Sequence, residues 1–119
     1  MAAAECRNAK KESAIFFHTK SSHLRLFPSQ IHYVESNLRK VIIHTPSEAY
    51  EIYATMTELE GLLGEQFFRC HRGYFVNLGK IKRYDKQGIQ LIDGTHILLS
   101  KTKYPNFVEA YMNYLKRGE

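Results

Sequence analysis

The chain has 119 residues, 44% of them hydrophobic, with 17 Lys and Arg against 12 Asp and Glu and a formal net charge of +5. That length suits one domain with a real core and is too short for two, and the composition is that of an ordinary globule. No apolar run approaches the roughly 20 residues of a membrane span, residues 1–12 lack the apolar core of a secretory signal, and two cysteines, Cys6 and Cys70, make no disulfide framework, so a cytoplasmic setting away from any membrane is expected.

Residues 1–12 read as a linker remnant or cloning tail, which leaves 13–117 as the domain. Ala14–His18 and His23–Phe27 read as short strands, the second alternating apolar and polar residues. Pro28-Ser29-Gln30 breaks the pattern. Ile31–Ser36 and Lys40–Thr45 form a second pair, with β-branched Val41, Ile42 and Ile43, joined by the short loop Asn37-Leu38-Arg39. Ala49–Ala54 is a further strand. Thr57-Glu58-Leu59-Glu60 reads as a capping box. It opens a helix of about two turns that places Leu59, Leu62 and Leu63 on one side and is limited by Gly61 and Gly64. Glu48, Glu51, Glu58, Glu60 and Glu65 make this region acidic, a solvated face that would point away from a polyanion.

The stretch Phe67–Leu78 interleaves aromatics with cations. From Arg69 to Lys86 there are six Lys and Arg against one acid, Asp85, so this segment carries +5 and the rest of the chain sums to zero. A local basic excess beside polar side chains points to a polyanion partner. Phe67, Tyr74 and Phe75 read as core, and Cys70 as a buried small hydrophobe rather than a redox-responsive thiol. Asn77 is expected to satisfy turn backbone, and Arg69 to pair with an acid such as Glu65. On a regular strand Cys70 and His71 would point to opposite faces. Lys80 and Lys82, flanking Ile81, would share one face and suit phosphates.

Asp93-Gly94 is a strong hairpin signal between Ile89–Ile92 and His96–Leu99. Ser100-Lys101-Thr102-Lys103 leads into a C-terminal helix. There Tyr104, Phe107, Val108, Tyr111 and Leu115 recur at helical spacing, with Pro105 in the first turn. The expected architecture is mostly β: about nine or ten short strands in small antiparallel sheets, one short central helix and a C-terminal helix. Without two adjacent amphipathic helices it is not a helix-turn-helix protein. There is no nucleophile elbow and no phosphate-cradling glycine loop, so no enzyme is expected. Scattered histidines and the lack of a C-x-x-C pair argue against a metal, and no cofactor is expected.

Phe68-Arg69-Cys70-His71-Arg72-Gly73-Tyr74-Phe75-Val76-Asn77-Leu78, followed by Ile81, resembles the signature of the LytTR family, the DNA-binding output domains of bacterial response regulators. Ile31–Ser36, Thr57–Glu60 and the segment from Asp93-Gly94 through Ser100-Lys101 resemble the family's other blocks in the same order, so the resemblance spans roughly residues 14–115. It implies an elongated stack of small sheets around a short helix. It further implies loops, rather than a recognition helix, inserted in successive major grooves of direct-repeat promoter sites. The partners implied are double-stranded DNA, a second copy forming a homodimer on tandem sites, and a phosphorylated receiver domain. The chain is then either a fragment of a two-domain regulator or a stand-alone protein.

Three loops match the family's DNA-contacting loops: Asn37, Leu38, Arg39 and Lys40; His71, Arg72 and Gly73; Ser100, Lys101, Thr102 and Lys103. Base reading would fall to Arg39, His71 and Arg72, with the arginine guanidinium forks suited to guanine or phosphate. Counterion release would fall to Lys40, Lys80, Lys82, Lys101 and Lys103. The candidate DNA-binding set is therefore Asn37, Arg39, Lys40, His71, Arg72, Lys80, Lys82, Lys101, Thr102 and Lys103. Two other classes stay open: a protein-interaction module docking through the acidic helix or the aromatic C-terminal helix, and an RNA or single-strand binder using exposed aromatics.

Overall fold

The computed structural model describes residues 13–19 and 21–117. Residues 1–12, and with them Cys6 and the expected tail, lie outside the described residues. In chain order the elements are β1 (Ile15–His18), β2 (His23–Leu26), β3 (Tyr33–Asn37), β4 (Lys40–His44), β5 (Ala49–Ile52), α1 (Met56–Leu63), β6 (Phe67–His71), β7 (Tyr74–Asn77), β8 (Ile81–Asp85), β9 (Gly88–Leu91), β10 (His96–Leu98) and α2 (Tyr104–Arg117). The strands form three sheets, ordered β1-β2, β5-β4-β3-β7-β6 and β10-β9-β8. Every pairing in them is antiparallel.

The five-stranded sheet lies between two cores, because alternating residues leave opposite faces of a strand. Val34, Val41, Ile43, Ile52, Phe67 and Phe75 pack with the β1–β2 hairpin and with Met56, Leu59 and Leu63 of α1. Cys70 and Val76 belong to the other core, which Ile89, Leu91 and Ile97 of the three-stranded sheet close together with Phe107 of α2. The stack measures 42 × 40 × 25 Å, and the mostly β architecture with a short central and a terminal helix is the one expected.

Three local expectations change. The capping box is Thr55–Glu58, not Thr57–Glu60: the Glu58 amide donates to Thr55 Oγ1 at 3.1 Å and the Thr55 amide to Glu58 Oε1 at 2.8 Å. The same T-x-x-E pattern occurs two residues earlier, and starting there buries Met56, Leu59 and Leu63, while Leu62 turns outward at 53% exposed. Gly61 sits inside the helix, which ends at Gly64 with φ of 80°, a conformation that favours glycine. On α2, Tyr114 joins Phe107, Val108 and Tyr111 against the core, and Leu115 is left 43% exposed.

The third change lies in the aromatic–basic stretch. Arg69 pairs with Phe75 and His71 with Tyr74, so Cys70 is the extra residue of a bulge. A bulge breaks the strict alternation of side chains and re-aims the next residue of the strand. Cys70 is buried in the second core, and the His71 ring packs edge-on against Tyr74, on that same core, at 4.8 Å. The two neighbours therefore do not face opposite sides. Asn77 is fully buried and structural, as expected: its Nδ2 donates to the carbonyls of Pro28 (3.0 Å) and Ile31 (2.7 Å), and its Oδ1 accepts from the Gly79 amide (2.8 Å) and Gln66 Nε2 (3.2 Å).

Candidate nucleic-acid interface

The β6–β7 hairpin turns at Arg72-Gly73. The Gly73 amide donates to His71 Nδ1 at 3.3 Å. A neutral imidazole that accepts at Nδ1 carries its proton on Nε2, so Nε2 is the ring's hydrogen-bond donor. Arg69 braces the turn from behind: its Nη2 donates to the Arg72 carbonyl at 2.9 Å and its guanidinium lies 5.6 Å from the centre of the Phe75 ring. Its acid partner is Glu60 of α1, 3.8 Å away, not Glu65, which pairs instead with Arg117 at 3.5 Å. Arg72 is exposed, with its carbonyl tied down and no ion pair among the described residues.

The β3–β4 turn lies beside this one. The Ser36 amide donates to the Gly73 carbonyl at 2.8 Å, which ties the end of β3 to the hairpin tip. Asn37 pairs with Lys40, leaving Leu38 and Arg39 as the two turn residues, both exposed. The segment between β10 and α2 closes the other side, and Arg69, His71, Arg72, Ser100, Thr102 and Lys103 line one open groove. Ser100 shapes that rim: its hydroxyl lies 3.2 Å from Thr102 Oγ1 and accepts from the Lys103 amide at 3.3 Å. Among the described residues no carboxylate lines the groove. Behind it, Glu35 holds His44 at 2.6 Å, and Tyr33 stacks on the His44 ring at 4.2 Å. Burial first, then the Glu35 charge, pushes the Tyr33 and Tyr74 hydroxyls above their ordinary range, so both stay neutral.

Of the candidates read from sequence, the structure gathers His71, Arg72, Thr102 and Lys103 around the groove, with Lys101 on the same turn and Asn37, Arg39 and Lys40 on the adjoining one. Lys40 is engaged with Glu51 at 3.1 Å, a hydrogen bond that raises its pKa. Lys80 and Lys82 are not part of this cluster. Lys80 closes a 3₁₀ turn at the other end of β7 from Gly73, and the register of β8 shifts between Ile81 and Arg83. The alternation that would align these two lysines therefore does not hold.

Sequence reasoning missed Arg69 as part of this site and placed Ser100 in its loop without a role. The Arg69–Arg72 spacing is the only local sign of the brace, and it depends on the hairpin turning at Arg72-Gly73. The structure removes part of the surface the other two classes would use, while Phe16 (68%), Tyr53 (56%) and the acidic face of α1 stay exposed. Phe67 and Phe75 are buried, and the aromatic face of α2 is spent on its own core. Cys70 is fully buried, and burial pushes its thiol up to about 12. Among the described residues no group of three or more His, Cys, Asp or Glu could hold a metal, and no helix is long and apolar enough to cross a membrane.

Comparison with known proteins bears on the family and the fold. Residues 21–112 match the family model of the LytTr DNA-binding domain. The transcriptional regulatory protein YpdB of Escherichia coli K12 is 34% identical over 58 residues, 48% of this chain and 24% of that protein, and its Shigella flexneri counterpart matches equally. The match thus spans about a quarter of the length of these curated relatives. Among solved structures, the LytTr DNA-binding domain of a methyl-accepting/DNA response regulator from Bacillus cereus superposes with a TM-score of 0.69 at 21% identity, covering 82% of this chain and 95% of that one. That likeness establishes the fold.

Proposed function

The chain belongs to the LytTr DNA-binding domain family, and on that premise we propose that it reads duplex DNA sequence-specifically as the output domain of a transcriptional regulator. One observation carries the reading. The β6–β7 turn and the segment before α2 bring cations and hydrogen-bonding side chains together around a groove that no carboxylate of the described residues lines, and the β3–β4 turn is tied to the β6–β7 tip beside it. In this reading the turns, not a helix, enter successive major grooves of direct-repeat sites. His71 offers an Nε2–H to a base acceptor or phosphate, and Arg72 and Arg39 offer guanidinium forks of the kind that read guanine. Asn37 and Thr102 hydrogen-bond at the edges. Lys101 and Lys103 neutralise phosphates beside the groove, and Lys40, Lys80 and Lys82 do so farther out. YpdB is a transcriptional regulatory protein about four times the length of the matched segment. A phosphorylated receiver domain that drives homodimerisation on tandem sites belongs to the same proposal.

The test is binding to a duplex selected from a random pool, measured against single strands at several salt concentrations. Specific duplex binding is expected, with log K falling by about 0.9 per phosphate neutralised for each decade of salt. Arg72→Ala should cost about 1–3 kcal/mol on the selected duplex. Binding that ignores this substitution, or that prefers single strands, would remove the β6–β7 turn from the interface.

A further inference from the structure

Leu38 is 93% exposed, a large apolar side chain standing at the tip of the β3–β4 turn. It is also the one non-glycine among the described residues with positive φ, at 62°; the others are Gly64 and Gly94. In a two-residue hairpin turn the central positions that need positive φ are normally given to glycine, asparagine or aspartate. A γ-branched L-residue there sets its Cβ against its own backbone. Both local rules are broken at one residue: the turn would be better formed with Asn or Gly, and the isobutyl group contacts water instead of a core.

The surroundings indicate what such a group would meet. Asn37, Arg39 and Lys40 flank it, and the Ser36–Gly73 hydrogen bond holds this turn against the tip that carries His71 and Arg72. The setting is polar and cationic, which suits a polyanion and not an apolar protein surface. On the major-groove edge of duplex DNA the one apolar group is the thymine 5-methyl. We infer that Leu38 is a specificity residue whose side chain packs on a thymine 5-methyl group in the major groove. The inference rests on the duplex-DNA reading above and adds to it an apolar contact from a residue outside the polar and basic set.

The experiment uses the full 119-residue chain and the selected duplex, with each thymine replaced in turn by uracil, which removes only the methyl group. Wild type should lose about fourfold in affinity at one position, the worth of one methyl-sized group taken from water. In L38N that position should become indifferent to the methyl. Asn accepts positive φ, so L38N should also melt at a higher temperature than wild type; L38G repeats the affinity test with no side chain at all. Wild-type binding that is indifferent to every replacement overturns the inference and leaves duplex binding standing, as does L38N keeping the same methyl sensitivity. Failure to select any duplex removes the functional reading, and the thymine contact with it.

Discussion

Asn77 sits near the end of the family-like motif, and Asn77→Ala separates a fold role from a DNA role there. The side chain makes four hydrogen bonds, two as donor and two as acceptor. Their losses are unequal. The Pro28 carbonyl keeps a second donor, the Ile31 amide at 3.1 Å, and Gln66 is only half-buried and can turn to water. The Ile31 carbonyl is buried and loses its partner, at about 1–3 kcal/mol, and the partly buried Gly79 amide loses its acceptor at less than that. Adding a small cavity gives about 2–4 kcal/mol in total. In a urea titration this moves the midpoint down by about 1–2 M at the slope usual for a small domain. Asn77→Asp keeps the acceptor, removes both donations and sets a carboxylate against two carbonyl oxygens, so it should be at least as damaging. Affinity per folded molecule for the selected duplex should stay at the wild-type value. A midpoint within about 0.3 M of wild type (roughly 0.5 kcal/mol) together with lost duplex binding would mean that Asn77 faces the DNA and that the reasoning is wrong.

Two further outcomes concern titrating groups. Burial holds the Cys70 thiol up to about 12, so native protein at neutral pH should resist alkylation, with modification tracking unfolding in denaturant; rapid labelling at full stability would refute this. Asp93 is pulled two ways: burial raises its pKa, but donations from the Thr95 amide, His32 Nδ1 at 3.0 Å and the Thr95 side chain together hold it below the ordinary carboxylate value. A lowered folded pKa means stability present above the unfolded value of about 3.9 and lost as pH falls through the folded one. The stability gap between wild type and Asp93→Asn, from urea midpoints, should therefore be widest near neutral pH and close below about pH 4. A gap that grows on acidification would refute the pairing.

How much of this was legible in the sequence depended on whether the signal was local. The β1–β2, β3–β4 and β9–β10 pairs could be read because alternation and turn residues act over a few positions. The start of α1 could not be settled that way, since T-x-x-E occurs twice in overlap at Thr55 and Thr57, and only the burial of Met56 chooses between them. The bulge at Cys70 is a property of pairing with β7, so no count along β6 finds it, and it changes where His71 points. Arg69 has Glu60 and Glu65 within reach along the chain, and the orientation of α1 decides for Glu60. At the site, each loop was visible as a cluster of polar and basic residues. Their convergence was implied only by the family resemblance, because the Ser36–Gly73 bond and the shared groove join segments far apart in sequence.

The acidic region is not the bare negative face its composition indicates. Glu51, Glu60 and Glu65 each hold a cation from another element: Lys40, Arg69 and Arg117. This sorts the candidate cations into two groups. Lys40 is already partly neutralised by Glu51, so its gain from a polyanion is less than that of an unpaired cation. Arg39, Arg72, Lys101 and Lys103 carry no ion pair among the described residues, and they bring their full charge to whatever anion enters. Arg69 falls between the two. Its charge is held by Glu60 and Phe75, its Nε is buried without a hydrogen-bond partner among the described residues, and its Nη2 is committed to the Arg72 carbonyl. A cation fixed in that way contributes most by holding Arg72 in place. Glu60 of α1, through Arg69, therefore helps to position the turn that, on the DNA reading, meets the groove.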